Sequence, residues 1–99
     1  MAGEQVAAIV AYEVAAEDED KFLPAWERAN DYLKQQDGHV STTLHKAVSA
    51  NPHFRFVNVG CWESDEAFRN ATQSAGFRDA SGALEAYPIH AAVYEVVRQ

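Results

Sequence analysis

Ninety-nine residues with a formal charge of −7 and 47% hydrophobic side chains describe a folded acidic protein rather than a disordered tail. A chain of this length supports one core, so residues 1–99 are expected to form a single domain. Lys and Arg form no cluster that could follow a phosphate backbone, and no apolar stretch approaches the ~18 residues of a bilayer span, so neither nucleic acid nor membrane is expected as a partner.

The N-terminal residues carry no basic segment followed by an apolar one, so a cytoplasmic protein is expected. Val6 to Val14 is rich in Val and Ala at both parities, the pattern of a strand buried on both faces. The acidic cluster Glu17 to Asp20 then favours a helix N-terminus, and Phe22, Trp26, Ala29 and Leu33 fall at i, i+4, i+7 and i+11 of a helix from about Asp20 to Gln35. Pro24 must lie in the opening turn of that helix or kink its start. Asp37-Gly38 closes the helix, and His39 to Val48 reads as a second strand. Turn residues from Ala50 to His53 lead into a third, Phe54 to Trp62, and the short link makes the two an antiparallel hairpin. Ser64, followed by Asp65 and Glu66, caps a second helix running to about Ser74, which Gly76 breaks. Phe77, Ala80, Leu84 and Tyr87 mark a further short helix stopped by Pro88, and Ile89 to Val97 forms the last strand.

The order β-α-β-β-α-β predicts an α+β, ferredoxin-like fold, a four-stranded antiparallel sheet with its helices on one face. Strands one, three and four are apolar at both parities, so the other face is also expected to be covered, by a second copy of the chain packed sheet against sheet. Cys61 has no second cysteine to pair with, and its apolar run predicts a buried, inert thiol.

No Gly-rich phosphate loop, metal-spaced His pair or nucleophile elbow is present. His39, His45, His53 and His90 are scattered and read first as surface or turn residues, and no metal is expected. The unusual feature is Asn58 within an apolar strand, with Gly60 and Trp62 at the same parity. A buried amide must find partners, so Asn58 is satisfied either by backbone or by whatever fills a hollow that Gly60 opens beside it. Phe54 and Phe56 extend that face as an aromatic wall. The alternative is a packed core in which Gly60 admits a bulky helix residue.

The run Phe56-Val57-Asn58-Val59-Gly60-Cys61-Trp62-Glu63-Ser64-Asp65-Glu66-Ala67-Phe68, with Phe77-Arg78 and Val93 to Val96 further on, resembles the antibiotic biosynthesis monooxygenase family of dimeric α/β barrels. The resemblance implies a cofactor-free enzyme that oxidises an electron-rich aromatic of polyketide type with O2, as family members do with anthrones. It implies Asn58 and Trp62 as catalytic donors, with Phe56 and Phe68 against the substrate. Phe68 stands where the family has a Tyr, so proton transfer falls to Tyr12, His45 or water. Arg78 is the nearest match to a family Arg and either anchors an anionic substrate or pairs with Glu85. The haem-degrading branch of the family would need Asn, Trp and His where this chain has Val10, Ala71 and Ser81, and serine cannot replace a proximal histidine. Two other readings use the same pocket or fold: a carrier of a small hydrophobic molecule without turnover, and an accessory subunit of a larger enzyme.

Overall fold

A computed structural model describes residues 5–99. The strands are β1 (Val6–Tyr12), β2 (His39–Lys46), β3 (Phe56–Trp62) and β4 (Ile89–Tyr94), and the helices are α1 (Glu19–Leu33), α2 (Asp65–Thr72) and α3 (Ala75–Ala80). The sheet order is β2-β3-β1-β4, with every neighbouring pair antiparallel. This is the split βαβ arrangement read from the sequence, elaborated by α3 and a 3₁₀ turn at Gly82–Ala86. The sheet does not close on itself, so β2 and β4 are both edges.

Register divides the strands cleanly. Val10 pairs with Asn58, Ala8 with Gly60 and Tyr12 with Phe56. These side chains, with Leu44 of β2, turn towards the helices. Ile9, Val57, Val59 and Cys61 point the other way by the pleat. Under the helices the core has two parts. One joins Tyr12, Val14, Phe22, Ala29, Phe56 and Leu84. In it Phe22 is fully buried, stacked on Phe56 with ring centroids 4.7 Å apart and edge-on to Tyr12 at 4.9 Å. The other joins Ala8, Trp62 and Ala71. Along β3 the two parts are separated by Asn58 and Gly60, the residues that fill space least well for an apolar core.

Several boundaries differ from the sequence reading. β1 ends at Tyr12 rather than Val14 and β4 at Tyr94 rather than Val97. β3 begins at Phe56, because the Phe54 ring packs edge-on against His53 and against His90, at 4.5 and 5.1 Å. Phe54 therefore leaves the aromatic wall expected of it. A 3₁₀ turn, Ala16–Asp18, precedes α1, and Pro24 lies inside the helix beyond its opening turn. The bond its missing N–H forfeits would have reached Asp20, and both residues are exposed to solvent.

The second helix stops at Thr72, before Gly76. Ser64 Oγ accepts from Ala67 N–H at 3.1 Å, as the capping pattern predicted. Ser74 repeats the device for α3, accepting from Phe77 N–H at 3.1 Å. Gly76 sits within α3 for a different reason: a Cβ there would come within 2.6 Å of the Tyr32 hydroxyl, so glycine allows α1 and α3 to meet. Just beyond the same C-terminal end of α1, Gly38 has φ +88°, and a Cβ would stand 2.5 Å from Ala67 Cβ. That close approach fixes where β2 starts. Cys61 is half-buried on the open sheet face rather than inside the core.

Candidate active site

The break between the two core parts is a cavity of about 220 Å³ between sheet and helices, lined mainly by apolar side chains of β1, α1, α2 and α3. Asn58, Trp62, Phe68 and Tyr12 line it. Ile89 and Ala91 of β4 complete the lining, and Ile89 is 52% exposed. Two wider hollows lie on the surface: one beside Gln36, Gly38, Glu63 and Asn70, the other around Glu13, Lys21, His53 and Arg55. Both are polar and open to solvent, and neither gathers donors into an apolar enclosure.

The polar geometry of the cavity is set by one hydrogen bond. Trp26 Nε1, on α1, donates to Asn58 Oδ1 at 3.0 Å. A tryptophan on the buried stripe of a helix needs an acceptor for its indole N–H, and the carboxamide of β3 supplies it. The amide orientation follows: with Oδ1 held by Trp26, Nδ2 is turned away from α1 and lies 3.7 Å from the position a Cβ on Gly60 would take. Trp62 Nε1 lies 3.4 Å from the same point and Thr42 Oγ1 3.7 Å. Two N–H donors, Asn58 Nδ2 and Trp62 Nε1, and the Thr42 hydroxyl thus converge on space that glycine leaves open.

Trp62 is 1% exposed, and Phe68 packs edge-on against it at 5.7 Å, so its indole is held rigidly. Preorganised donors in an apolar enclosure bind a developing negative charge on oxygen more strongly than mobile water does, because they need no reorientation. Tyr12 is buried at 8% exposure, and burial pushes its pKa up to about 12. Its hydroxyl therefore stays protonated at physiological pH and can donate but cannot serve as the base. Asn30, also on the cavity wall, has the one buried side-chain polar atom without a partner among the described residues, its Oδ1.

The structure does not bring three of the expected residues to this cavity. Phe56 is buried in the core beneath Phe22, where a helix side chain fills the space a guest would need. His45 is exposed and pairs with Val57 in register, which points it to the open sheet face. Arg78 is exposed on α3 beside the inward-facing Phe77, and among the described residues no ion pair joins it to Glu85. The sequence reading passed over Trp26 as a simple core residue, and Thr42 and Asn30 altogether. For Trp26 a signal existed: Asn58 is the lone amide in the apolar run that a helix-borne indole on that stripe would meet.

An open antiparallel sheet with helices on one face, and between them an apolar cavity holding convergent donors, defines an α+β protein with a site between its two layers. The sequence profile of the antibiotic biosynthesis monooxygenase family matches residues 5–83, and the chain belongs to that family. It is similar to a candidate monooxygenase of Shewanella loihica PV-4 at 30% identity, covering 97% of each chain with a TM-score of 0.85. SnoaB, a cofactor-independent oxygenase from Streptomyces nogalater, shares the fold at 21% identity, with 98% of this chain and 97% of that one covered and a TM-score of 0.79. A candidate antibiotic biosynthesis monooxygenase of Nitrosomonas europaea shares it at 15% identity, 98% and 94% coverage and a TM-score of 0.78. No curated protein matches the chain significantly.

Proposed function

We propose that this protein is a cofactor-independent monooxygenase that oxidises a small, electron-rich aromatic with O2 in the cavity beside Asn58. The observation that carries this reading is the hydrogen bond from Trp26 to Asn58 Oδ1, which leaves Nδ2 free to join Trp62 Nε1 at the Gly60 gap. A cavity of about 220 Å³ is smaller than the ~300–1,000 Å³ of most ligand pockets, which suits a compact fused-ring phenol or anthrone. Trp62 and Phe68 offer it aromatic surface.

Ground-state O2 is a triplet and reacts slowly with closed-shell molecules, but a carbanion or phenolate can pass it one electron. For an anthrone, loss of a ring CH2 proton gives the stabilised anion. Electron transfer and recombination form a C–O bond to a peroxide, which takes up a proton. Loss of water from the hydroperoxide then leaves a carbonyl at that carbon, so one O2 oxygen enters the product and the other leaves as water. The protein's share is to hold the ring system, stabilise the enolate oxygen through Asn58 and Trp62, and accept the first proton.

Oxygen-electrode measurements with a dihydroxyanthrone test this directly. Oxygen consumption that saturates with substrate, in metal-free and flavin-free buffer, is the expected result. Tight quenching of tryptophan fluorescence with no oxygen consumed would replace the enzyme by a carrier.

A second copy is the proposed occupant of the open sheet face. Ile9, Val57, Val59, Cys61 and Ala92 make its centre, with His45 and His90 towards its edges, an arrangement that can pair with itself about a two-fold axis. Sedimentation at micromolar concentration is expected to give twice the 10.9 kDa chain mass, with the Cys61 thiol reacting slowly. A monomer with a freely reactive thiol would contradict it.

A further inference from the structure

The start of β2 departs from regular pairing. His39 stands opposite Trp62 and Ser41 opposite Cys61, so Val40 is an extra residue in a β-bulge. In an unbroken strand residue 40 would face Trp62, and His39 and Thr42 would point to opposite faces. The bulge exchanges Val40 for His39. Val40 turns out to 47% exposure, and the His39 ring packs edge-on against Trp62 with centroids 5.1 Å apart. His39 Nε2 then lies 2.6 Å from Thr42 Oγ1, and Thr42 is on the cavity wall beside the two N–H donors at the Gly60 gap. Bulges at sheet edges commonly re-aim a side chain in this way.

The arrangement addresses a gap in the chemistry. The proposed reaction begins with removal of a proton, Tyr12 stays protonated, and Phe68 carries no hydroxyl. We propose that Thr42 and His39 form the proton relay of this site, Thr42 touching the acidic C–H or O–H of the guest and His39 acting through the Thr42 hydroxyl. This rests on the monooxygenase reading. The guest's proton passes to Thr42 Oγ1 as the hydroxyl's own proton passes to His39 Nε2. The carbon or oxygen of the guest keeps the electron pair, and the imidazolium releases its proton to solvent.

A relay base must be neutral before the reaction. Burial of the ring, and secondarily the Lys34 ammonium, hold the His39 pKa below the ordinary 6.5, so the neutral ring prevails at physiological pH. The charged groups next to it along the chain and the register are Lys34 just after α1, Asp37 two residues before the ring, and Glu63 beside its strand partner Trp62. Of these, Lys34 is the one that shifts the ring. Because the folded-state pKa is depressed, turnover is expected to be full above pH 6.5 and to fall as pH drops through the ring's pKa.

The test compares His39→Gln, Thr42→Val and Thr42→Ser with the native protein. His39→Gln and Thr42→Val are each expected to lower kcat for dihydroxyanthrone oxidation by about 10²-fold at neutral pH, the lower end of what a positioned base contributes. Thr42→Ser should restore most of the rate, and the acid limb of the pH profile should vanish in His39→Gln. Independently of turnover, nitrogen NMR of the His39 ring should report a shift of the Nε2 signal, with Nε2 remaining the acceptor, when dihydroxyanthraquinone, which cannot be oxidised further at that carbon, binds. The response should be lost in Thr42→Val. A native rate and acid limb in His39→Gln, or a ring that ignores bound ligand, overturns the relay even where the native protein consumes oxygen. No oxygen uptake by the native protein, with a ring that still responds, overturns the monooxygenase reading while the coupling of the pair to the guest stands.

Discussion

Gly60→Ala is expected to keep the fold and to lower kcat by about 10²- to 10³-fold, the usual loss when preorganised donors cannot reach a developing oxyanion. A methyl at this position would stand 3.4 Å from Trp62 Nε1 and 3.7 Å from both Asn58 Nδ2 and Thr42 Oγ1, all ordinary contacts. Pairing of residue 60 with Ala8 and Thr42 uses backbone alone and survives. Alanine also relieves the entropic cost of glycine in a strand, about 0.5–1 kcal/mol. The methyl nonetheless occupies the point on which the donors converge, and a substrate oxygen is displaced from it. Thermal denaturation beside oxygen-uptake kinetics separates the two effects. Native turnover in a stably folded Gly60→Ala would show that the gap is packing space and not a binding position.

Asn58→Ala has the second largest expected effect, and it acts on both stability and rate. Deleting the carboxamide leaves Trp26 Nε1 without its acceptor, which costs about 1 kcal/mol for a half-buried donor, and it removes Nδ2 from the gap. The lost rate is again about 10²- to 10³-fold in kcat. Asn58→Asp distinguishes the two roles. It keeps an acceptor for Trp26 and so most of the stability, but presents an oxygen where the native protein presents an N–H. Urea denaturation should therefore rank Asp above Ala in stability, while oxygen uptake should find both impaired. If Asn58→Asp turned over at the native rate, the amide would matter only as a support for α1.

The fold was readable because its signals are local and repeated. Val and Ala at both parities marked β1, the Phe22 to Leu33 stripe marked α1, and Ser64 marked the start of α2. Boundaries were missed where a tertiary contact overrode the local pattern. Phe54 leaves β3 to meet His90, and Gly76, a helix breaker by propensity, lies within α3 because Tyr32 needs the space. The site was half readable. Asn58, Gly60 and Trp62 share a parity on a single strand, so alternation alone united them. Phe56 shares that parity, but Phe22 fills the space above it, which no strand pattern reports. His45 was placed near the site by its chemistry and is carried away by the same alternation that brings Leu44 inward. His39 and Thr42 stayed hidden because a strict period of two sends them to opposite faces, and one extra residue reverses that.

A crystal structure of the protein with bound dihydroxyanthraquinone tests the central claim most directly. The account expects the ring system between sheet and helices, against Trp62 and Phe68, with one of its oxygens about 2.7–3.1 Å from both Asn58 Nδ2 and Trp62 Nε1. A ligand seated on a surface hollow, or one in the cavity whose oxygens all turn away from the Gly60 gap, would contradict it.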